Sequence, residues 1–290
     1  MTSRVPFFKY SATGNDFILI DNRARQFRGD EVALFESLCG RKTGIGADGI
    51  LLIEPPRRED CAFTMRYFNR DGRESEMCGN GARASAYHAA STKTASAEMC
   101  FEVNGETYRA WVEGERVQLL MQTPRDLRLR PGVVLSHEKI NTPLAPLKGG
   151  IAKTGNANLE EGGFVNTGVP HYVLFASNID KLDVETIGRE LRHHPAFAPA
   201  GTNVNFVEAL DQSHLKLRTY ERGVEEETLA CGTGATAAAL ITHLVHGAAF
   251  PIHLQTRGGE LLVSRDAGTG RFVLQGQVKR VFTGEFEPCN

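Results

Sequence analysis

The nine residues CGNGARASA, beginning at Cys78, return as CGTGATAAA at Cys231. Three further stretches return in the same order and at nearly the same spacing. MRYFNRDG (65–72) comes back as LRTYERGV (217–224), TGNDFILI (13–20) as TGVPHYVL (167–174), and GADGILLI (46–53) as GTNVNFVE (201–208). A period of roughly 150 residues is far longer than the 20–50 of a stacked solenoid, so it marks a duplicated domain. Whatever fold the first half adopts, the second must adopt as well.

The pattern of elements agrees. Runs rich in Val, Ile, Leu, Phe and Tyr, bounded by Gly, Asn, Asp or Pro, predict strands at 16–21, 49–54, 63–68 and 116–123. In the second half they predict strands at 170–176, 204–210, 214–220, 252–258 and 261–266. Helical spacing is present at 30–42, 81–90, 184–194 and 234–246. The stretch 124–150 carries four prolines and no clear period, and reads as a crossover. The expected fold is therefore α/β (α+β): two pseudo-symmetric domains of like topology, each a strand-rich layer wrapped on a central helix, with the active site in the cleft between them. The domains are expected at 1–130, rejoined by 277–290, and at 131–276.

Composition limits the partners. With 33 basic and 35 acidic residues the formal net charge is −2, so nothing points to a nucleic-acid partner. The first residues lack the apolar core of a signal peptide, and the apolar run GATAAALITHLV is too short to span a bilayer and leads to no membrane reading. The expected location is the cytoplasm, which keeps the six cysteines at 39, 61, 78, 100, 231 and 289 reduced.

Two of those cysteines stand apart. Cys78 and Cys231 each precede a glycine pair at the start of a small-residue helix. Unpaired N–H groups and the helix dipole at such a start favour negative charge, and so favour thiolate. Two alike acid/base groups are what inversion of a stereocentre requires: one removes a proton from one face of a carbon, the other returns one to the opposite face. The helix starts would also bind the carboxylate beside that carbon. A lone cysteine at a helix start is ordinarily a small buried residue; its repetition at matched positions is what raises the pair above that. The cysteines at 39, 61, 100 and 289 lack the turn and are expected to be dispensable for the chemistry. GIGADG (44–49) fits GxGxxG but follows a helix and precedes a strand, the reverse of the dinucleotide order. No CxxC, metal-type His spacing or phosphate loop is present, so neither cofactor nor metal is expected.

GNDF (14–17), GADG (46–49), FNRDG (68–72), CGNGAR (78–83), GVPH (168–171), GTNVNF (201–206), ERG (221–223) and ACGTGA (230–235) resemble the motifs of the diaminopimelate epimerase family, in that family's order. The resemblance implies a cofactor-independent enzyme of lysine and cell-wall precursor biosynthesis that interconverts LL- and meso-diaminopimelate, with Cys78 and Cys231 as its acid/base pair. It implies substrate contacts from Asn15, Asn69, Gly79, Asn80, Asn203, Glu221, Arg222, Gly232 and Thr233, and a histidine, His171, beside the site. It also implies a homodimer. Arg222 would offer a bidentate contact to the distal carboxylate, and Glu221 with the asparagines would accept from the distal ammonium. The chain departs from the pattern at Gly49 and Val169, where some members carry Gln and Asn, and between Glu221 and Cys231, where it is one residue longer. Two rival readings stand beside this one: another cofactor-free racemase of the same fold, acting on proline or histidine, and a non-catalytic thiol redox or ligand-binding protein.

Overall fold

A computed structural model describes residues 4–75, 77–129 and 162–288. The chain divides into two units, Met1–Leu120 with Gln275–Asn290, and Met121–Leu274. The expected boundary at 130/131 and the crossover from 130 to 150 lie outside the described residues, as does Cys289.

In the first unit β1 (Val5–Ala12) turns tightly into β2 (Asn15–Asp21), and α1 (Val32–Cys39) carries the chain over to β3 (Gly49–Glu54), parallel to β2. Strand β4 (Thr64–Asn69) runs antiparallel to β3; α2 (Gly79–Ser91) then leads to β5 (Glu98–Val103), parallel to β4. β6 (Glu106–Glu113) and β7 (Arg116–Leu120) complete an antiparallel meander. The long final strand β16 (Phe272–Phe286) begins in the second unit and continues in the first. There it pairs antiparallel with β1, from Val5↔Phe286 to Ala12↔Val278, and neighbours β7. The ring β1–β7–β16 is thereby closed, and no edge is left for stray pairing.

That ring has a helix inside it. α2 packs on β1, β2, β3, β4, β6 and β7. Only small side chains permit such all-round contact, and Ala82, Ala84, Ser85, Ala86 and Ala89 are completely buried. Beneath α1 a second layer of the core gathers Phe27, Phe35, Ile50 and Phe68.

The second unit repeats the order. After the short, exposed strand β8 (Arg125–Leu129) comes β9 (Gly163–Asn166), antiparallel to β10 (Pro170–Phe175). Helix α3 (Val184–Arg192), capped by Asp183, crosses to β11 (Asn203–Ala209), parallel to β10. β12 (His214–Glu221) is antiparallel to β11 and carries the small flap β13 (Glu226–Thr228). α4 (Gly232–His246) then leads to β14 (Ile252–Thr256), parallel to β12, and β15 (Gly259–Arg265) returns beside it. The directions of β9 to β15, setting β13 aside, reproduce those of β1 to β6. α4 packs on β9, β10, β11, β12 and β15, and Ala235, Ala237, Ala238 and Ala239 are completely buried. Both halves are thus strand layers around a central small-residue helix, as the repeat predicts. Among the described residues no helix is long and apolar enough to cross a membrane.

Candidate active site

Cys78 is the N-cap of α2. Its backbone is extended (φ −110°, ψ 112°) and its sulfur accepts a hydrogen bond from the Gly81 N–H at 3.4 Å. A thiol here occupies the position that Ser, Thr or Asp usually fills to satisfy the orphan donors of a first turn. The neighbouring side chains form a chain of amides. Asn80 Nδ2 donates to Asn15 Oδ1, and Asn15 Nδ2 donates to Asp48 Oδ2 at 3.1 Å. Asp48 is held in turn by Arg41, which also grips Asp16. Burial resists the charge of Asp16, but hydrogen bonds from Arg41 and Lys9 overcome it and hold its pKa down to about 2. Three of the sequence-predicted residues, Asn15, Cys78 and Asn80, are therefore assembled around one helix start, with Gly79 between the last two.

Asn69 ends β4 opposite Gly49 and opens the tight turn to Arg73. A Cβ on Gly49 would stand 2.4 Å from the Phe68 carbonyl oxygen and 2.6 Å from the Tyr67 ring. The departure from the family pattern at this position is thus enforced by backbone packing.

Cys231 caps α4 in the same extended conformation (φ −122°, ψ 115°), but its sulfur lies 3.4 Å from the Thr233 hydroxyl. A relay stands behind that hydroxyl. Thr219 Oγ1 donates to Asn205 Oδ1 at 3.1 Å, which turns Asn205 Nδ2 toward His171 Nδ1 at 3.0 Å. With Nδ1 accepting, the imidazole proton belongs on Nε2, which meets Thr233 Oγ1 at 2.8 Å. The threonine hydrogen is then directed to sulfur. A Cβ on Gly234 would come within 2.4 Å of Asn205 Oδ1 and 3.4 Å of the Cys231 sulfur, so glycine is required for the relay to approach the helix. Asn203, the register partner of His171, accepts from the Arg222 N–H at 2.9 Å through Oδ1. Glu221 accepts from Thr228 Oγ1 at 2.5 Å. His171, Asn203, Glu221, Arg222, Cys231, Gly232 and Thr233 are all drawn to one end of β10–β12 and α4.

This geometry decides between the two halves of the repeat and a mere coincidence of sequence: the two Cys-Gly-x-Gly turns are the N-termini of equivalent central helices. The diaminopimelate epimerase profile matches the chain twice, over residues 7–125 and 163–281. The chain belongs to the diaminopimelate epimerase family. The diaminopimelate epimerase of Hydrogenobaculum sp. is 39% identical over 293 residues, spanning 95% of this chain and 96% of its own. That of Aquifex aeolicus is 36% identical over 289 residues, spanning 96% of each. Among solved structures, the PhzF-family phenazine biosynthesis protein of Bacillus anthracis has a TM-score of 0.70 at 14% identity, covering 98% of this chain and 99% of its own. A probable proline racemase from Agrobacterium radiobacter K84 reaches 0.63 at 15%, covering 97% and 92%. These two share the fold of the diaminopimelate epimerase family.

Several members of the site gave no clear signal in the sequence. Asp48, Thr167, Asn205 and Thr219 all bond to the residues above, Thr13 accepts from Arg83, and Asn205 lies inside GTNVNF with no signal of its own. Thr167 Oγ1 donates to the Thr233 carbonyl at 2.9 Å, which steadies the first turn of α4. Arg83, within CGNGAR, is completely buried beneath the first turn of α2.

Two histidines give the family member a predicted acid sensitivity. Burial lowers the pKa of His171 to about 3, with the Arg222 cation adding to it, and burial lowers that of His88 to about 4. Both are neutral in the folded protein at pH 5, whereas the unfolded chain protonates them below about 6.5. The unfolded state then binds more protons, so stability falls as pH drops through the window from about 6.5 toward 4. Urea unfolding at pH 7.5 and pH 5 is expected to show this loss, and His88→Gln, away from the thiols, is expected to reduce it. An unchanged midpoint between the two pH values would refute the assignment.

Proposed function

We propose that the chain is a cofactor-independent isomerase that interconverts LL- and meso-2,6-diaminopimelate by moving a proton at one α-carbon. The observation that carries this reading is the duplicated thiol N-cap, in a member of this family, on two buried helices that serve as the centres of their units. One thiolate removes the α-proton while the other thiol delivers a proton to the opposite face. The enzyme finishes with the two protonation states exchanged, and the reverse reaction restores them. Gly79, Asn80, Gly232 and Thr233, in the first turns of α2 and α4, are suited to hold the α-carboxylate and the charge that builds on it as the C–H bond breaks.

Asn15, Asn69, Asn203, Glu221 and Arg222 fit the distal amino-acid end, which wants a fixed cation for its carboxylate and acceptors for its ammonium. A substrate lacking that end would leave these groups unpaired, which is how selectivity for a long zwitterion arises. The reading includes a cytoplasmic homodimer, whose solution mass by light scattering would be twice 31.8 kDa.

The deciding experiment is an amino-acid panel incubated with enzyme in deuterated water and followed by NMR. Diaminopimelate is expected to exchange its α-proton and equilibrate, while lysine, which lacks the distal carboxylate, is not. Arg222→Ala is expected to lower kcat/KM by roughly 10- to 100-fold, the worth of one charge-assisted contact. Efficient turnover of proline or histidine instead would move the protein to another specificity, and absence of any α-exchange would remove it from the enzymes.

A further inference from the structure

A second pair of cysteines lies in the first unit, outside the first turn of α2. Cys61 ends the turn that joins β3 to β4, and Cys100 sits on β5. Their sulfurs are 2.7 Å apart, though 39 positions separate them in sequence. The approach is fixed by the backbone. Ala62 N–H donates to the Cys100 carbonyl at 2.7 Å, and the β4–β5 register continues it with Glu102 N–H donating to the Phe63 carbonyl at 3.0 Å. Glu102 fastens the rest of the turn: its Oε2 accepts from the Arg57 N–H at 2.7 Å and from Thr64 Oγ1 at 3.1 Å. Cys61 is buried and Cys100 is half-buried.

We propose that Cys61 and Cys100 are a redox-active pair that closes an intramolecular disulfide when the protein meets a low-molecular-weight disulfide. A disulfide needs its sulfurs at about 2.05 Å, and backbone that already holds two thiols in contact need move little to reach it. The more accessible Cys100 attacks first as thiolate and forms a mixed disulfide, releasing one small thiol. Cys61 then gives up its proton to solvent and attacks the Cys100 sulfur, expelling the second. Two S–H bonds are broken and one S–S bond is made; the two electrons and two protons convert the small disulfide to two thiols. Burial, with the hydrogen bond to Cys100, pushes the Cys61 thiol up to about 12, which suits the role of slow second attacker.

The bond would have a structural effect on the proposed site without touching it. The loop it closes contains β4, Cys78 and the whole of α2. Both ends of the segment that presents Cys78 would be tied to each other.

A soft metal ion is the competing occupant, since Asp60 lies close enough to join the two sulfurs. The Asp60 carboxylate is already committed to Arg58, at 2.9 and 3.1 Å. Among the described residues no fourth ligand stands with the three, whereas structural zinc is four-coordinate.

The test uses the full-length protein, incubated with oxidised glutathione or with dithiothreitol, alkylated and digested for mass spectrometry. The oxidised sample is expected to yield a crosslinked peptide pair containing Cys61 and Cys100, lighter by two hydrogens than the reduced peptides. Its Tm is expected to rise by roughly 5–10 °C over the reduced protein, as for a loop of this length. Cys61→Ser and Cys100→Ser should each abolish that rise and keep epimerase activity in reductant. The wild-type peptide map does not depend on how the variants fold. Recovery of both residues fully alkylated after oxidation overturns the proposal. So does stoichiometric retention of added zinc by the reduced wild type that is lost in both variants.

Discussion

Cys78→Ala and Cys231→Ala are each expected to abolish epimerisation, by at least the 10²- to 10⁴-fold that a single positioned acid or base contributes. The physical reason is that neither thiol can do the work of both. Each variant still holds one sulfur at one helix start, Cys78 under the Gly81 N–H or Cys231 beside Thr233. The remaining thiolate can take a proton from one epimer only, and can return one only to the face it took it from. In deuterated water, therefore, each variant is expected to exchange the α-proton of one epimer without inverting it, and the two variants should prefer opposite epimers. Serine at either position should not rescue, because its hydroxyl is far less acidic than a thiol. If either alanine variant keeps near-wild-type turnover, or both exchange the same epimer, the two-thiol assignment fails.

Arg83→Ala is expected to destabilise the protein by about 3–5 kcal/mol, with Tm falling by on the order of 10 °C. Arg83 has no exposed surface, although it carries a guanidinium. Its partners are neutral: Asn80 Oδ1 at 2.7 Å, Thr13 Oγ1 at 2.9 Å and the Gly79 carbonyl at 3.4 Å. Its Nε finds none. Burial lowers its pKa to about 10, so the charge remains at neutral pH. Alanine would empty the space inside the strand ring and take one donor each from Thr13 Oγ1 and Asn80 Oδ1. Arg83→Met separates the two effects. It refills much of the volume and removes a charge whose lost hydration no carboxylate among the described residues repays, so it should recover at least half of the loss. A melting temperature for Arg83→Ala within two or three degrees of wild type (against the roughly 10 °C argued from burial) would show that the cavity collapses freely.

Arg83 also shows where sequence reasoning stops. An arginine read from composition belongs on the surface; only the three-dimensional ring around α2 puts it inside. The two Cys-Gly-x-Gly helix starts were legible because glycines and small residues have a direct backbone and packing meaning. The strands nearest them were legible because their apolar runs are dense. Strands β5 and β6 were not anticipated, yet a signal existed. Asn104 and Gly105, both at positive φ, form the two-residue turn that joins them, and Asn-Gly between apolar runs marks a hairpin. Strand β8 offers none: Arg125–Leu129 is exposed throughout, alternates charge with leucine, and lies within the proline-bearing stretch 124–150 that reads as a crossover. The His171–Thr233–Cys231 relay was half legible. GVPH and ACGTGA point to its ends, but Asn205 and Thr219 join it through strand register, which no local pattern encodes.

The closed ring of the first unit sets an order of events during synthesis. Its closing strand comes from residues 275–286, which are made after every other described strand of the two units. The second unit is one unbroken stretch, Met121–Leu274, and all of it is made before that strand appears. The half encoded first is therefore completed last. Until β16 arrives, β1 and β7 each present an unpaired backbone edge. A chain released early, before Gln275, would carry a finished second unit and an open first one, an edge ready to pair with a neighbour's.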